Sequence, residues 1–121
     1  YTKKWGYGTA FSELVLGTLY FQMAYGKKQG NLSFIRNIGF LARNIPFASK
    51  KAEHFLKKAI ESASHCGAKG LQGLSYMELG NLYKVQKKNT LAKEYITRAI
   101  QVFENIGAIV FMQNAERLLD E

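Results

Sequence analysis

The stretch Ala92-Lys93-Glu94-Tyr95-Ile96-Thr97-Arg98-Ala99-Ile100 lies 40 residues after Ala52-Glu53-His54-Phe55-Leu56-Lys57-Lys58-Ala59-Ile60, and small, large apolar and basic positions coincide along both. The same shift places Gly67-Ala68 on Gly107-Ala108. A second shift, of 63 residues, brings Ser12, Leu16, Gly17, Leu19 and Tyr20 onto Ser75, Leu79, Gly80, Leu82 and Tyr83. Two kinds of helix therefore recur, which is the mark of a repeat architecture. Gly80 and Ala92 are 12 positions apart and Gly17 and Ala52 are 35 apart, so the first unit carries an insertion of about 23 residues between its paired helices.

Periodicity and punctuation extend this reading in both directions. Phe11, Leu14, Val15, Leu19 and Met23 predict a helix over about 8–25, stopped by Gly26-Lys27-Lys28-Gln29-Gly30. Asn31 can cap a second helix over about 32–44, with Phe34, Ile38, Leu41 and Ile45 on one face and Pro46 at its end. A third, about 47–66, has Ala52, Phe55, Leu56, Ala59, Ile60 and Ala63 at helical spacing before Gly67, a natural left-handed terminator. A fourth covers about 70–86; Asn89-Thr90 opens a fifth over about 90–106, ended by Gly107; a sixth runs from about 108 to the end. Proline is confined to one junction and no β-type alternation persists, so the expected class is all-α, built of antiparallel hairpins.

On these residues the chain resembles the tetratricopeptide repeat. Tyr76, Leu79, Gly80, Tyr83, Ala92, Ile96 and Ala99 stand at that family's spacing, with Tyr76 in place of its usual Trp and Ile96 in place of its Phe. Leu16, Gly17, Tyr20, Ala52, Leu56 and Ala59 repeat the pattern across the insertion. Gly80 and Ala92 are small where two helices cross closely, and Tyr83 and Ala99 help fill the seam with the neighbouring hairpin. Glu13 stands in place of the first aromatic, Ser64 and Glu104 where a Pro often ends the unit, and the period of 40 is longer than usual. The resemblance implies a right-handed superhelix of about six helices in one domain over 1–121. Its first unit is about 8–67 with the insertion at about 26–46, its second about 70–107, and a capping or partial-repeat helix spans about 108–120.

The long repeats joined by Gly-Ala, the segment Arg36-Asn37-Ile38-Gly39-Phe40-Leu41 and the closing Ala115-Glu116-Arg117-Leu118-Leu119 are similar to a narrower group. These are the C-terminal helical-repeat regions of bacterial signalling proteins that join a class III adenylate or guanylate cyclase domain to a signal-transduction ATPase domain. That likeness implies a regulatory or protein-interaction scaffold whose parent carries its catalysis elsewhere. The N-terminal Tyr1-Thr2-Lys3-Lys4-Trp5 has neither an initiating Met nor a signal-peptide plan, and reads as the start of a piece cut from a longer chain.

The chain has 121 residues, 47% of them hydrophobic and 21% charged, which is ordinary globular composition and argues against disorder. A single cysteine, Cys66, excludes an internal disulfide framework and makes a cytoplasmic setting the expectation. No run of ~18 apolar residues suggests a membrane span. No phosphate-cradling glycine motif is present, since Gly26 to Gly30 is too short and wrongly ordered. His54, His65 and Cys66 close no zinc site, and adjacent Cys and His on a helix do not face each other. Glu53, Glu61, Glu78, Glu94 and Glu104 each have Lys or Arg nearby and read as a solvated face. No catalytic residue, cofactor or metal is therefore expected.

Charge and the repeat pattern supply the candidate surfaces. Net charge is +8, and the basic excess is densest over residues 27–58, making Arg36, Arg43, Lys50 and Lys57 a candidate basic surface for an acidic partner. A solubility face is the competing reading, and nucleic acid is disfavoured because the aromatics keep core spacing instead of interleaving with basic residues. The family pattern implies that the first helix of each hairpin lines a concave groove. Its side chains would be Phe11, Leu14, Thr18 and Phe21, then Leu74, Met77, Asn81 and Lys84, then Asn114 and Arg117. Asn81 matches one position of a carboxylate-binding clamp, but Leu14 and Met77 stand where its cations belong, so that activity is not carried over. The groove suits an amphipathic peptide or helix, another domain of the same chain, or the inserted helix itself. Self-association through an exposed repeat end, around Trp5 and Phe11, is a further option.

Overall fold

The structure, a computed structural model, describes residues 7–25 and 45–120, which form five α-helices and no strand. They are α1 (Tyr7–Tyr25), α2 (Ile45–Cys66), α3 (Lys69–Val85), α4 (Asn89–Ile106) and α5 (Ile109–Asp120). The helix expected over about 32–44, with Arg36 and Arg43, lies outside the described residues. Pro46 falls in the first turn of α2, where its missing N–H costs nothing. Asn89 is already helical, and α4 begins behind Lys88 with no side-chain cap.

Three turns share one hydrogen-bond pattern. Ala68 N–H donates to the Ala63 carbonyl, Lys88 N–H to Tyr83, and Ala108 N–H to Phe103, each at 2.9 Å. One residue earlier, Gly67, Lys87 and Gly107 donate to the carbonyls of Ser64, Lys84 and Glu104. This paired closure is the Schellman motif, and it requires a left-handed residue at the position after the cap. Gly67 and Gly107 take it at φ 73°, whereas the middle turn places Lys87 there at φ 65°. Lysine meets a Cβ penalty of ~1 kcal/mol or more that glycine avoids, which is why glycine punctuation marked two of these turns and missed the third.

Each helix packs antiparallel to its predecessor. Ser62 Oγ of α2 donates to Glu13 Oε1 of α1 at 2.6 Å, while Tyr20 stacks on Phe55, so early α1 meets late α2. Gln86 Nε2 donates to Ser49 Oγ at 2.6 Å and the Tyr83 hydroxyl to Glu53 Oε2 at 2.5 Å, tying α3 to α2 in the same sense. Phe103 of α4 stacks on Phe111 of α5. The closest crossings occur at glycines. A Cβ on Gly17 would lie 2.7 Å from Leu56 Cγ, and one on Gly80 would lie 2.6 Å from Ile96 Cγ1 and 3.3 Å from the Ala92 carbonyl. Both hairpins thus use a bare backbone on the first helix against a branched side chain on the second.

The interior divides into two clusters. The larger joins Ala10, Leu14 and Phe21 of α1 to Leu56 and Ala59 of α2 and to Leu71, Leu79 and Leu82 of α3. The smaller joins Ile96, Ala99 and Phe103 of α4 to Ala115 of α5, with Leu74, Tyr76 and Met77 against it. Helix α3 faces both and is the central element, with Leu79, Leu82 and Ser75 fully buried. Ser75 satisfies its hydroxyl on the Leu71 carbonyl one turn back, at 2.8 Å.

Candidate functional site

The ten side chains assigned to a groove fall into different environments. On α1, Phe11 is 52% exposed and Thr18 half-buried, whereas Leu14 and Phe21 are core residues. Leu14 and Phe21 point into the cluster shared with α2 and α3, and the large apolar side chains exposed on α1 are Phe11, Val15, Leu16 and Leu19. On α3, Leu74, Met77, Asn81 and Lys84 are all half-buried; Leu74 and Met77 are drawn against α4 and α5. Lys84 Nζ donates to the Leu118 carbonyl near the end of α5, where a cation also suits the negative end of the helix dipole. Asn114 and Arg117 are exposed on α5.

The repeat-signature residues form the skeleton behind this surface. Gly17, Ala52, Ala59, Leu79, Gly80, Tyr83, Ala92, Ile96 and Ala99 are buried, Tyr20 and Tyr76 half-buried, and Leu16 is exposed at 39%. Tyr83 packs its ring near Tyr95 and reaches Glu53 with its hydroxyl, bridging α2, α3 and α4. Burial, together with the neighbouring Glu53 carboxylate, holds the Tyr83 hydroxyl well above its ordinary pKa. Burial pushes Glu53 up, but the Tyr83 hydroxyl, Lys57 and Lys88 outweigh it and hold the carboxyl below its usual range. Lys57 is therefore engaged with Glu53, at 3.3 Å, and both Lys50 and Lys57 are exposed members of the expected basic surface.

The five glutamates expected on a solvated face separate in three dimensions. Glu94 pairs with Arg98 at 2.7 Å, Glu61 and Glu104 are exposed, and Glu53 is bonded as above. Glu78 is half-buried on α3 and has no hydrogen-bond or ion-pair partner among the described residues. Burial alone raises its pKa. Sequence reasoning missed it because basic residues are close along the chain while the neighbours that decide its surroundings come from another helix.

An apolar cleft of about 290 Å³ opens where the α2–α3 and α4–α5 turns meet, lined chiefly by Leu71, Leu74, Phe103, Ile106 and Phe111. No titratable side chain lines it. Among the described residues no three His, Cys, Asp or Glu side chains gather as a metal site, and no helix is long and apolar enough to cross a membrane. Compared with protein-family models, curated proteins and solved structures, the chain matches none.

Proposed function

We propose that this chain is a tetratricopeptide-like protein-interaction module, a non-catalytic scaffold that serves a bacterial signalling protein of the cyclase and ATPase type. The observation that carries the reading is α1. Phe11, Val15, Leu16 and Leu19 leave large apolar side chains in water on a helix whose other side is packed against α2 and α3. Such a row suits an amphipathic peptide better than a reacting substrate, since it offers apolar area without a nucleophile or an acid–base pair. The first helices of the hairpins, α1 and α3, together with α5, would form the receiving surface.

The test is selection of a phage-displayed library of 12-residue peptides on the immobilised chain. Enriched peptides that lose binding on Phe11→Asp or Asn81→Ala, with helical circular dichroism retained, support the module; no enrichment overturns it. A second reading, a basic adaptor for an acidic partner or nucleic acid, is favoured by Lys50, Lys87 and Lys88, exposed at the end of the molecule where Gln86 joins Ser49. Binding that collapses with salt and ignores Phe11 would select it.

A further inference from the structure

Glu78 stands at the border of two rows on α3. Leu71, Ser75 and Leu82, at i−7, i−3 and i+4, are buried in or beside the cluster shared with α1 and α2. Leu74, Asn81 and Val85, at i−4, i+3 and i+7, are partly or fully open to solvent. The carboxylate is thus withdrawn from water on the side of the cluster that α3 shares with α1 and α2. Helix α1 brings it no counter-charge, because Glu13 is the single charged residue between 7 and 25 and accepts the Ser62 hydroxyl instead. An ionised carboxylate held away from water without a partner is costly, and the cost is relieved by a cation that completes the pair.

We propose that Glu78 receives the lysine or arginine side chain of a peptide lying against α1 and α3. This rests on the interaction reading above and names the partner's chemistry: an apolar segment carrying one basic residue. Exposed Phe11 and Val15 supply surface for its apolar residues and for the aliphatic stem of the basic side chain. The chain's own +8 does not forbid this ligand. Lys87 lies beyond the end of α3, in the turn that follows Gln86. Lys84, nearer, is engaged with the Leu118 carbonyl. The charged side chains of α1 and α3, Glu13, Lys69, Glu78 and Lys84, sum to zero, so the basic excess lies outside these two helices. The Glu78 carboxylate is opposite in sign to a clamp built to hold a terminal carboxylate.

The experiment runs the 12-residue peptide selection in parallel on the wild-type chain, Glu78→Gln and Glu78→Lys, with helicity and Tm measured for each. Removing a charge that has no partner among the described residues is not expected to harm folding, so Glu78→Gln is the principal variant. The expected result is a wild-type pool with Lys or Arg at a fixed distance from apolar residues, whose affinity falls by about tenfold or more on Glu78→Gln. Glu78→Lys should select acidic residues at that place. Wild-type peptides without a basic residue, bound equally by Glu78→Gln, would overturn this proposal and leave the interaction module standing; no enrichment on any chain would overturn both. A third outcome also overturns it: a change in the Glu78 carboxyl carbon shift of the free chain on Arg36→Gln or Arg43→Gln would give the carboxylate an internal partner.

Discussion

The two hairpins cross at a glycine in the same way but fill the end of the seam with opposite allocations of volume. In the first, Ala10 on α1 and Ala63 on α2 are both fully buried. At the positions 63 and 40 residues on, the second has Gly73 and Phe103, and a Cβ on Gly73 would lie 2.5 Å from the Phe103 ring. Two methyl groups in one place become a bare backbone and a phenyl ring in the other. The repeated element is thus a helix spacing rather than a set of residues, and each hairpin meets it with a different division of the same space.

That comparison breaks first at Phe103. Phe103→Ala empties the second seam, which Gly73 cannot refill, and is expected to lower stability by about 3–5 kcal/mol, read as a fall in urea midpoint. The crossing glycines come next. Gly80→Ala should cost about 1–3 kcal/mol, because the new methyl meets a β-branched side chain and has two backbone atoms within 3.3 Å. Gly17→Ala should cost less, since Leu56 presents mainly the outer atoms of a more adaptable side chain and alanine improves helix propensity. If Gly17→Ala proves the more damaging in the same denaturation series, the hairpins do not share a crossing rule.

The smaller effects separate the glutamates of α2 and α3. Tyr83→Phe removes the hydroxyl from Glu53 and should cost about 1 kcal/mol near neutral pH. Because Glu53 titrates below its unfolded value, its contribution is present above that value and is lost as pH falls through the folded one. Tyr83→Phe should therefore flatten the acid limb of a stability–pH curve. Glu78 has the opposite sign: its raised pKa gives a contribution present below the unfolded value and lost as pH rises through the folded one. Glu78→Gln should remove that loss, so the variant gains on the wild type as pH rises through the carboxylate range in thermal melts.

Legibility followed the range of the forces involved. The helix boundaries at Gly67 and Gly107 were readable because a left-handed cap is a local demand that glycine meets cheaply. Lys87 fills the same conformation without that signature, while the helix opening expected at Asn89-Thr90 falls at Asn89. Of the side chains expected in a groove, those on α3 are half-buried, whereas on α1 Leu14 and Phe21, three and ten positions from Phe11, turn inward while Phe11 does not. Helical spacing locates a face; the packed neighbours decide which edge of it is covered.

By itself, the sequence determined the helical class of the described residues, the helix ends at Gly67 and Gly107 and the glycines at which helices cross, since each depends on backbone conformation or on the size of one residue. Tertiary structure alone decided that Glu53 would be bonded and Glu78 left without a partner among the described residues, though both sit on helices near lysines in the chain. The reason is that burial and pairing are set by side chains from other helices: Tyr83 reaches Glu53 from α3, and no described helix supplies a cation to Glu78.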